Sequence, residues 1–431
     1  MKSLPKVLIF TYYWPPSGGS GVQRWMYFAK YMNQYGFEPI VITVDPKSAS
    51  FNSIDLSLEK EVENINVYKT RSREVLKIYR FLPGNKSKQS FPQGEVSNKG
   101  FLSKLFAFIR GNFFVPDARK GWNSFALKIG EEILTKEQIH SVITTGPPHS
   151  SHLIGLRLKR KFKFNWLVDL RDPWTDVFYL KNMYRTRWAQ RKDLNYETKV
   201  LNAADAILTT SQKNFHKQLK SRLKNKEKPF YNIYNGYDFE TFSKIKSNYN
   251  KTFTLGCIGL ITKNQSYKKL IKSLELIKNI HPEMKINFCF AGSTSQEIID
   301  GFSEVTSVKN FGYVSHERAV SLMKASNILV NFLFNQSAQS TMVSGKLVEY
   351  MATGNPVLTI GDPNSEASDL LKICHNSLIC APSDIKSITD YITSMYNLWT
   401  QNKLKPKVPD GIEKYSRKYS AEKLCRIIIA L

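Results

Sequence analysis

Short apolar strands alternate with amphipathic helices along almost the whole chain, and this alternation restricts the fold more than any other feature. The first strand, Val7–Phe10, is followed by a loop rich in proline and glycine and by helical periodicity over Val22–Tyr35. Gly36 ends that helix before a second strand, Pro39–Val44. A strand, a helix and a strand in this order predict the βαβ unit of a parallel sheet.

The alternation continues in two series that a polar segment, 235–251, separates. The further strands that we expect are Ser141–Thr144, Trp166–Asp169, Ala206–Thr209, Phe253–Ile258, Ile286–Ala291, Val308–Phe311, Ile328–Phe332 and Val357–Ile360. Helical patterns cover Ser151–Lys161, Arg187–Ala203, Lys268–Lys278, Glu317–Ala325, Lys346–Met351 and Glu366–Lys372. The sequence therefore predicts an α/β fold of two tandem Rossmann-like, doubly wound domains. Because such sheets bind ligands at the carboxyl ends of their strands, we expect the site in an interdomain cleft.

A length of 431 residues fits two domains of about 200 residues each. We place an N-terminal Rossmann-like domain at 1–235, with an insertion rich in basic and aromatic residues at about 69–115. A linker at 236–251 leads to a C-terminal Rossmann-like domain at 252–405. The remaining segment, 406–431, is expected to end in a helix that packs back on the N-terminal domain.

The formal net charge of +26 is concentrated in the first part of the chain, with +20 over 1–250 and +6 over 251–431. Such a balance favours nucleic acid, anionic lipid headgroups or phosphate-bearing substrates as partners. The basic and aromatic stretch 99–114 is typical of a segment in a membrane interface, and equally of a hydrophobic insertion packed on its own domain. No apolar run approaches the roughly 18 residues that span a bilayer.

Localisation is inferred from the chain start and the cysteines. The residues after Met1 do not form a signal peptide pattern, and none of the five cysteines belongs to a CxxC motif. We therefore expect a cytoplasmic protein without zinc or disulfides.

The loop after the first strand, Trp14–Arg24, carries Gly19, Ser20 and Gly21 at the start of a helix. Glycines let backbone N–H groups approach a phosphate at a helix N-terminus. The loop is not a dinucleotide fingerprint, because Arg24 stands where the third glycine would fall. No Gly-Lys-Ser/Thr follows, so it is not a Walker A loop either.

Two further loops of the first domain follow strands and carry ionisable side chains. His149 and His152 lie after one strand, where either is a candidate to titrate in the cleft or to be structural. Asp169, Arg171 and Asp172 lie at the end of another. An aspartate there can orient a hydroxyl or a histidine, and an ion pair of Arg171 with Asp169 or Asp172 explains the same residues.

In the second domain, Gly345 opens a short helix on which Lys346 and Glu349 share a face. A cation for phosphate and an acid for sugar hydroxyls suit a nucleotide sugar, whereas the simpler interpretation is a salt bridge between the two side chains. Gly259 and Lys263 lie in the loop after Phe253–Ile258. Ser315 is a plausible helix N-cap next to Val314, whose backbone is a candidate to meet a nucleobase.

Six segments in order along the chain resemble GT-B glycosyltransferases of the family 4 type, especially those that build bacterial surface polysaccharides. These segments are Pro15–Gly19, Thr145–Ser150, Asp169–Trp174, Asn235–Asp238, Gly312–Val314 and Gly345–Tyr350. The resemblance implies a retaining, metal-independent transfer from a nucleotide sugar to a glycan or lipid-linked acceptor, with no cofactor. In agreement with this, the sequence has no Asp-x-Asp motif.

The resemblance also implies roles for individual residues. Those at the donor would be Gly19, Ser20, Gly21, Gly259, Lys263, Val314, Thr341, Gly345, Lys346 and Glu349, with the two lysines at the diphosphate and Glu349 at the ribose. His149 and Asp172 would lie on the acceptor side and are the catalytic candidates. Many family members carry Glu-x7-Glu, but Thr341 stands here at the first of those positions.

Other classes remain as alternatives. A GT-B relative that acts on a nucleotide sugar without an acceptor, such as an epimerase, is the second hypothesis among enzymes. The basic charge suggests a nucleic-acid-binding protein as another alternative. No RRM, zinc-finger or helix-turn-helix signal supports this hypothesis, so we expect no nucleic acid as a partner. A membrane-associated scaffold that uses 99–114 is the third.

Overall fold

A computed structural model describes residues 4–51, 53–73, 101–246, 251–334 and 343–431. The chain divides into two compact units, the first comprising 1–234 and 418–431 and the second comprising 235–417. Each unit is built on one sheet in which all neighbouring strands are parallel. The predicted α/β fold of two doubly wound domains is confirmed.

The first unit has a seven-stranded sheet in the order β3-β2-β1-β4-β5-β6-β7. Its strands are β1 (Lys6–Phe10), β2 (Glu38–Val44), β3 (Asn66–Thr70), β4 (Ile139–Gly146), β5 (Asn165–Leu170), β6 (Ala206–Thr209) and β7 (Phe230–Asn232). Its helices are α1 (Ser20–Met32), α2 (Phe101–Phe113), α3 (Asn123–Lys136), α4 (His152–Leu158), α5 (Arg187–Ala203) and α6 (Lys213–Ser221). Short 3-10 helices cover Asn33–Tyr35, Leu56–Val62, Lys120–Trp122, His149–Ser151 and Phe178–Met183.

Both faces of this sheet are covered, as the continuous apolar runs of its strands require. Leu8 and Phe10 point into one core cluster, and Val7 and Ile9 into another on the opposite face, because side chains alternate along a strand. All four are fully buried. A parallel sheet covered on both faces is typical of doubly wound folds.

The second unit has a six-stranded sheet in the order β10-β9-β8-β11-β12-β13. Its strands are β8 (Phe253–Ile258), β9 (Ile286–Ala291), β10 (Ser307–Asn310), β11 (Ile328–Phe332), β12 (Val357–Ile360) and β13 (Leu378–Cys380). Its helices are α7 (Phe239–Lys244), α8 (Tyr267–Ile280), α9 (Gln296–Ser303), α10 (His316–Ala325), α11 (Gly345–Thr353), α12 (Glu366–Leu371) and α13 (Ile385–Thr400), followed by a 3-10 helix, Ile412–Tyr415.

The last helix, α14 (Arg417–Ile429), begins at the end of the second unit and returns the chain to the first. Leu424 and Ile428 on this helix are fully buried and join the same core cluster as Val7 and Ile9. None of the helices in the described part of the chain has the length and apolar character needed to cross a membrane.

Three strands were not predicted, and all three lie at sheet edges. β3 is mostly exposed and therefore has no apolar run, while β7 and β13 each contain only three residues. The signal used for the other strands, a continuous buried stretch, is absent from strands of this kind.

Candidate functional site

Three loops of the first unit carry candidate residues that were predicted from the sequence. They follow β1, β4 and β5, which are neighbours in the sheet. Since the strands are parallel, all three loops leave the same edge. The strand order reverses between β1 and β4, and ligands bind doubly wound sheets at such a position. Gly19 precedes α1 with φ +93°, Ser20 is the first residue of α1, and Gly21 follows.

Arg171 holds these loops together. Its Nε donates to the Gly146 carbonyl oxygen at 3.2 Å, and its terminal nitrogens donate to the carbonyl oxygens of Gly21 and Pro147. Burial lowers the pKa of the guanidinium, while the carboxylates of Asp172 and Asp169 oppose the shift. One arginine thus satisfies three carbonyl oxygens in two loops, which fixes the spacing of the loops.

Asp169 is bonded by a different arginine from the one that the sequence suggested. Arg24 Nη2 lies 3.0 Å from Asp169 Oδ1, and both side chains are almost fully buried. The indole nitrogen of Trp25 and the hydroxyl of Thr145 donate to Oδ2 at 2.6 Å and 2.8 Å. Arg24, the residue that replaces the third glycine of a dinucleotide fingerprint, therefore neutralises a buried carboxylate.

His149 is buried in the loop after β4, and its imidazole stacks on the indole of Trp174, with ring centroids 5.1 Å apart. Both ring nitrogens are buried. Burial lowers its pKa well below the ordinary value, His152 and Arg171 lower it further, and a hydrogen bond with the backbone of Pro173 opposes the shift. The imidazole is therefore neutral at pH 7, with one nitrogen able to donate and the other to accept.

His152, the second histidine of the loop, has a structural position. Its Nδ1 lies 2.9 Å from the hydroxyl of Thr144, and burial together with Arg171 lowers its pKa to about 3. The loop itself is anchored by Asp117, whose carboxylate accepts from the backbone N–H and the hydroxyl of Ser150 at 2.7 Å and 2.8 Å.

Asp172 lies two residues before Trp174, at the same edge of the sheet. Burial raises the pKa of its carboxyl, against the effect of Arg171, and Asp169 raises it further. No hydrogen bond joins Asp172 to His149 in the described residues. The structure thus brings the two catalytic candidates to neighbouring loops without making them a directly bonded pair.

In the second unit, three glycines with positive φ end three adjacent strands. Gly259 follows β8 with φ +131°, Gly292 follows β9 with φ +122°, and Gly312 lies shortly after β10 with φ +60°. The N–H of Gly259 donates to the Ala291 carbonyl, and that of Gly292 donates to the Gly312 carbonyl, each at 2.6 Å. A Cβ on Gly292 would lie 2.6 Å from the Gly259 carbonyl oxygen, so only glycine fits there.

Lys346 and Gly259, which are 87 positions apart in the sequence, meet at this edge. A Cβ on Gly259 would lie 3.2 Å from Lys346 Cδ, and Lys346 Nζ donates to the Leu260 carbonyl oxygen at 3.3 Å. Gly345 is the first residue of α11, whose first turn has backbone N–H groups available to an anion. β8 and β11 are the strands between which the order reverses in this sheet.

Glu349 does not pair with Lys346. Its Oε1 lies 2.9 Å from His316 Nε2 and 3.0 Å from Arg417 Nη2. Burial alone would raise the pKa of this carboxyl, but the interactions with His316 and Arg417 more than offset it and hold the pKa below its ordinary value. The salt bridge within α11 that the sequence offered as the simpler interpretation is therefore not formed.

The other donor candidates have different surroundings, and one of them falls outside the described residues. Lys263 forms an ion pair with Glu297, and both side chains are about half exposed. Val314 precedes Ser315, whose hydroxyl accepts from the Arg318 N–H as the predicted N-cap of α10. Thr341 falls outside the residues that the structure describes.

A family model covers most of the unit that holds these donor candidates. Residues 252–397 match Glycosyl transferases group 1. The second unit carries a domain of this family. A comparison with curated protein sequences gave no match.

Solved structures resemble the chain along nearly its full length. A sucrose-phosphate synthase from Thermosynechococcus elongatus has a TM-score of 0.63 at 13% identity, covering 99% of this chain and 98% of that chain. HepE from Anabaena, in complex with UDP-glucose, has a TM-score of 0.60 at 12% identity, covering 99% and 100%. A putative UDP-N-acetylglucosamine 2-epimerase from Listeria monocytogenes has a TM-score of 0.55 at 9% identity, covering 99% and 96%.

Likeness at such low identity establishes the GT-B fold. Together with the glycosyl transferases group 1 domain, it confirms the predicted resemblance to GT-B glycosyltransferases and supports glycosyl transfer as the activity.

Sequence reasoning missed two residues that surround Glu349 in the part of the chain that holds the glycosyl transferases group 1 domain. His316 gave a weak signal, because it follows a serine that was predicted to be an N-cap. Arg417 gave no signal, because it lies 68 positions after Glu349 in the sequence. It also lies outside the residues that match the family model. Gly292 was also missed. In the described residues, no group of three or more His, Cys, Asp or Glu side chains is arranged to hold a metal ion.

Proposed function

We propose that this chain transfers a sugar from a nucleotide sugar to a glycan or lipid-linked acceptor. The observation that carries the proposal is the meeting of Lys346 with Gly259 at the first turn of α11, within a glycosyl transferases group 1 domain. A lysine beside a helix N-terminus attracts a diphosphate, because the N–H groups and the ammonium group act on the same anion.

The chemistry assigned to this site is stabilisation of the leaving nucleoside diphosphate. As the bond from the sugar to the diphosphate breaks, negative charge builds up on the diphosphate oxygens, and Lys346 and the amides of α11 offset it. In a retaining transfer the departing diphosphate takes the proton of the acceptor hydroxyl on the same face of the sugar. The proposal assigns this charge stabilisation to protein groups and requires neither a metal ion nor a cofactor.

The remaining candidates are assigned by the charge states that their surroundings impose. Glu349, held as a carboxylate by Arg417 and His316, accepts hydrogen bonds from ribose hydroxyls. His149, held neutral, exchanges hydrogen bonds with a sugar hydroxyl, and Asp172 faces the acceptor. Gly19 and Gly21 let substrate approach the first turn of α1.

A coupled assay separates transfer from epimerisation. With a nucleotide sugar and crude glycolipid as acceptor, we expect release of nucleoside diphosphate to rise severalfold over the rate without acceptor. Isomerisation of the nucleotide sugar with no acceptor present would identify an epimerase instead and contradict the proposal.

We further propose that the protein acts in polysaccharide or glycolipid synthesis at the cytoplasmic face of an anionic membrane. Support comes from α2, where Leu105, Phe108 and Phe113 are 42%, 37% and 74% exposed beside the exposed Lys104. Exposed aromatic side chains next to cations favour the interface of an anionic bilayer.

Flotation with vesicles tests this localisation. The double variant Phe108→Ser/Phe113→Ser is expected to float less than the unchanged protein with vesicles containing phosphatidylglycerol. Phe239→Ser, which removes a side chain that is 61% exposed in the second unit, is the control and should float normally. Equal flotation of all three proteins would exclude a role for α2.

A further inference from the structure

His149 and Trp174 form a stacked pair of aromatic rings in the candidate site. The planes of the two rings differ by 6°, and 6% of His149 and 2% of Trp174 are exposed. A centroid distance of 5.1 Å between parallel rings corresponds to an offset stack. The indole therefore covers one face of the imidazole.

Trp174 is in turn held at the edge of its indole ring. Its indole nitrogen donates to Asp193 Oδ1 at 2.8 Å, and Asp193 Oδ2 lies 2.8 Å from Arg185 Nη1. The side chains of Asp193 and Arg185 are 1% and 4% exposed. Arg185 Nε also donates to the Gly111 carbonyl of α2 at 3.0 Å, so the ion pair is fixed at both ends.

We propose that Trp174 is a positioning residue for His149, and that the ion pair of Asp193 with Arg185 holds Trp174 in place. This inference rests on the proposed function, in which the His149 imidazole meets a sugar hydroxyl. His149 is the group that touches substrate, and Trp174 acts only through it.

The reason lies in the packing of the imidazole, which is buried against the face of the indole. The second side-chain torsion of histidine has a broad energy minimum, so packing has to set the angle of the ring. The indole face restricts this rotation and so fixes the direction in which the two ring nitrogens point. A catalytic group that is misplaced by about 1 Å can lose roughly 100-fold in rate.

The same packing keeps the imidazole neutral. The titratable groups that act on it are His152 at the start of α4 and Arg171 after β5. Asp172 is the neighbour of Arg171 in the chain, and Asp117 bonds Ser150 in the loop of His149. Burial is the largest influence on its pKa and acts in the same direction as His152 and Arg171. Removing the indole admits water, so the pKa of His149 should rise towards its ordinary value near 6.5.

Two substitutions of Trp174 distinguish the role of its aromatic ring from the role of its hydrogen bond to Asp193. Trp174→Leu removes the aromatic face, and we expect kcat/KM to fall by about 10- to 100-fold. Trp174→Phe keeps a flat ring and should lose no more than about fivefold. Trp122→Phe is the matched control, because Trp122 is also fully buried and donates its indole N–H to Thr70 Oγ1 at 2.8 Å. If Trp174→Leu and Trp122→Phe reduce kcat/KM equally, the proposal is wrong.

The pH profile provides a readout that general destabilisation would not move. The unchanged enzyme should keep its activity down to about pH 5.5, whereas Trp174→Leu should lose it below about pH 6.5 as His149 becomes protonated. An identical acid limb in both proteins would contradict the positioning role.

Histidine-selective NMR tests the inference without any activity. The His149 signal, assigned through its loss in His149→Gln, should not titrate between pH 5 and 8 in the unchanged protein. In Trp174→Leu it should titrate within that range, with a midpoint below 6.5 because Arg171 remains near the ring. Titration near 6.5 in the unchanged protein would overturn the proposal. The expected NMR result in a protein without transfer activity would refute the proposed function and leave the positioning of His149 standing.

Discussion

At the scale of residues, two buried carboxylates of the candidate sites are each paired with an arginine far away in sequence. Asp169 pairs with Arg24, 145 positions away, and Glu349 pairs with Arg417, 68 positions away. A buried charge is tolerated only when it is paired and hydrogen-bonded. Both pairs therefore hold the candidate side chains in one orientation.

Glu349→Gln removes the charge that both His316 and Arg417 contact. Because the substitution leaves Arg417 buried without a carboxylate, we expect a loss of about 3 kcal/mol in the free energy of unfolding. Nucleotide-sugar affinity should also fall by about tenfold or more. Chemical denaturation measures the free energy of unfolding, and titration with the nucleotide sugar measures the affinity.

Glu297→Gln is the control for that substitution, since it removes an acid from the exposed pair with Lys263. Exposed ion pairs contribute at most about 1 kcal/mol, so the stability should hardly change. A similar loss of stability in the two variants would show that the buried pair has no special role.

The buried carboxyl of Glu197 leads us to expect that the free energy of unfolding depends on pH. Burial raises the pKa of its carboxyl to about 7, against the pairing with Arg222. The protonated carboxyl therefore binds its proton more tightly in the folded state than in the unfolded state. The resulting stabilisation of the folded state is fully present below about pH 4.5 and is lost as pH rises through 7. The loss can reach about 3 kcal/mol.

The glutamine variant provides the reference for this dependence, because an amide does not ionise. The free energy of unfolding of the unchanged protein, minus that of Glu197→Gln, should fall steadily between pH 5 and 8. A difference that stays constant or rises over that range would contradict the assignment.

At the scale of elements, the candidate sites are made by loops at the carboxyl ends of neighbouring strands. Arg171 bonds two such loops in the first unit, and three glycines lie side by side at the edge of the second sheet. The glycines let three backbones approach closely, which places Gly259 next to Lys346. The loop geometry thus depends on backbone packing as much as on side chains.

Two glycines provide a matched pair of substitutions. Gly292→Ala places a Cβ 2.6 Å from the Gly259 carbonyl oxygen at φ +122°, whereas Gly312→Ala at φ +60° has nothing within 4 Å. We expect Gly312→Ala to cost about 1 kcal/mol and Gly292→Ala about 3 kcal/mol or more. Denaturant unfolding measures both. Equal costs would mean that backbone crowding at Gly292 is relieved without strain.

The sequence was sufficient for the elements that a buried apolar run marks. Every predicted strand is present within about two residues of its bounds. All of them except the exposed edge strand β10 are largely buried, and strands buried on both faces cannot be polar. The N-cap Ser315 and the positive φ of Gly36 were also predictable, since each depends on local chemistry. The partners of Asp169 and Glu349 were not predictable, because they depend on which strands become neighbours.

At the scale of the whole molecule, the domain family points to the same activity as the local geometry. The second unit matches Glycosyl transferases group 1 over 252–397, and within it Gly259, Gly345 and Lys346 come together. The charge of +26 suits a protein whose substrates carry phosphate. The central claim is therefore that this chain binds a nucleotide sugar through the region around Lys346.

Thermal unfolding with a panel of UDP-, GDP-, ADP- and dTDP-sugars tests that claim most directly. A ligand at 100 times its Kd stabilises a protein by about 2.7 kcal/mol, which raises Tm by a few degrees. We expect one nucleotide class to raise the Tm of the unchanged protein. Lys346→Ala, which loses a long hydrogen bond to Leu260, should keep its ligand-free Tm and lose the shift. No response to any nucleotide sugar, or an equal shift in Lys346→Ala, would contradict the account.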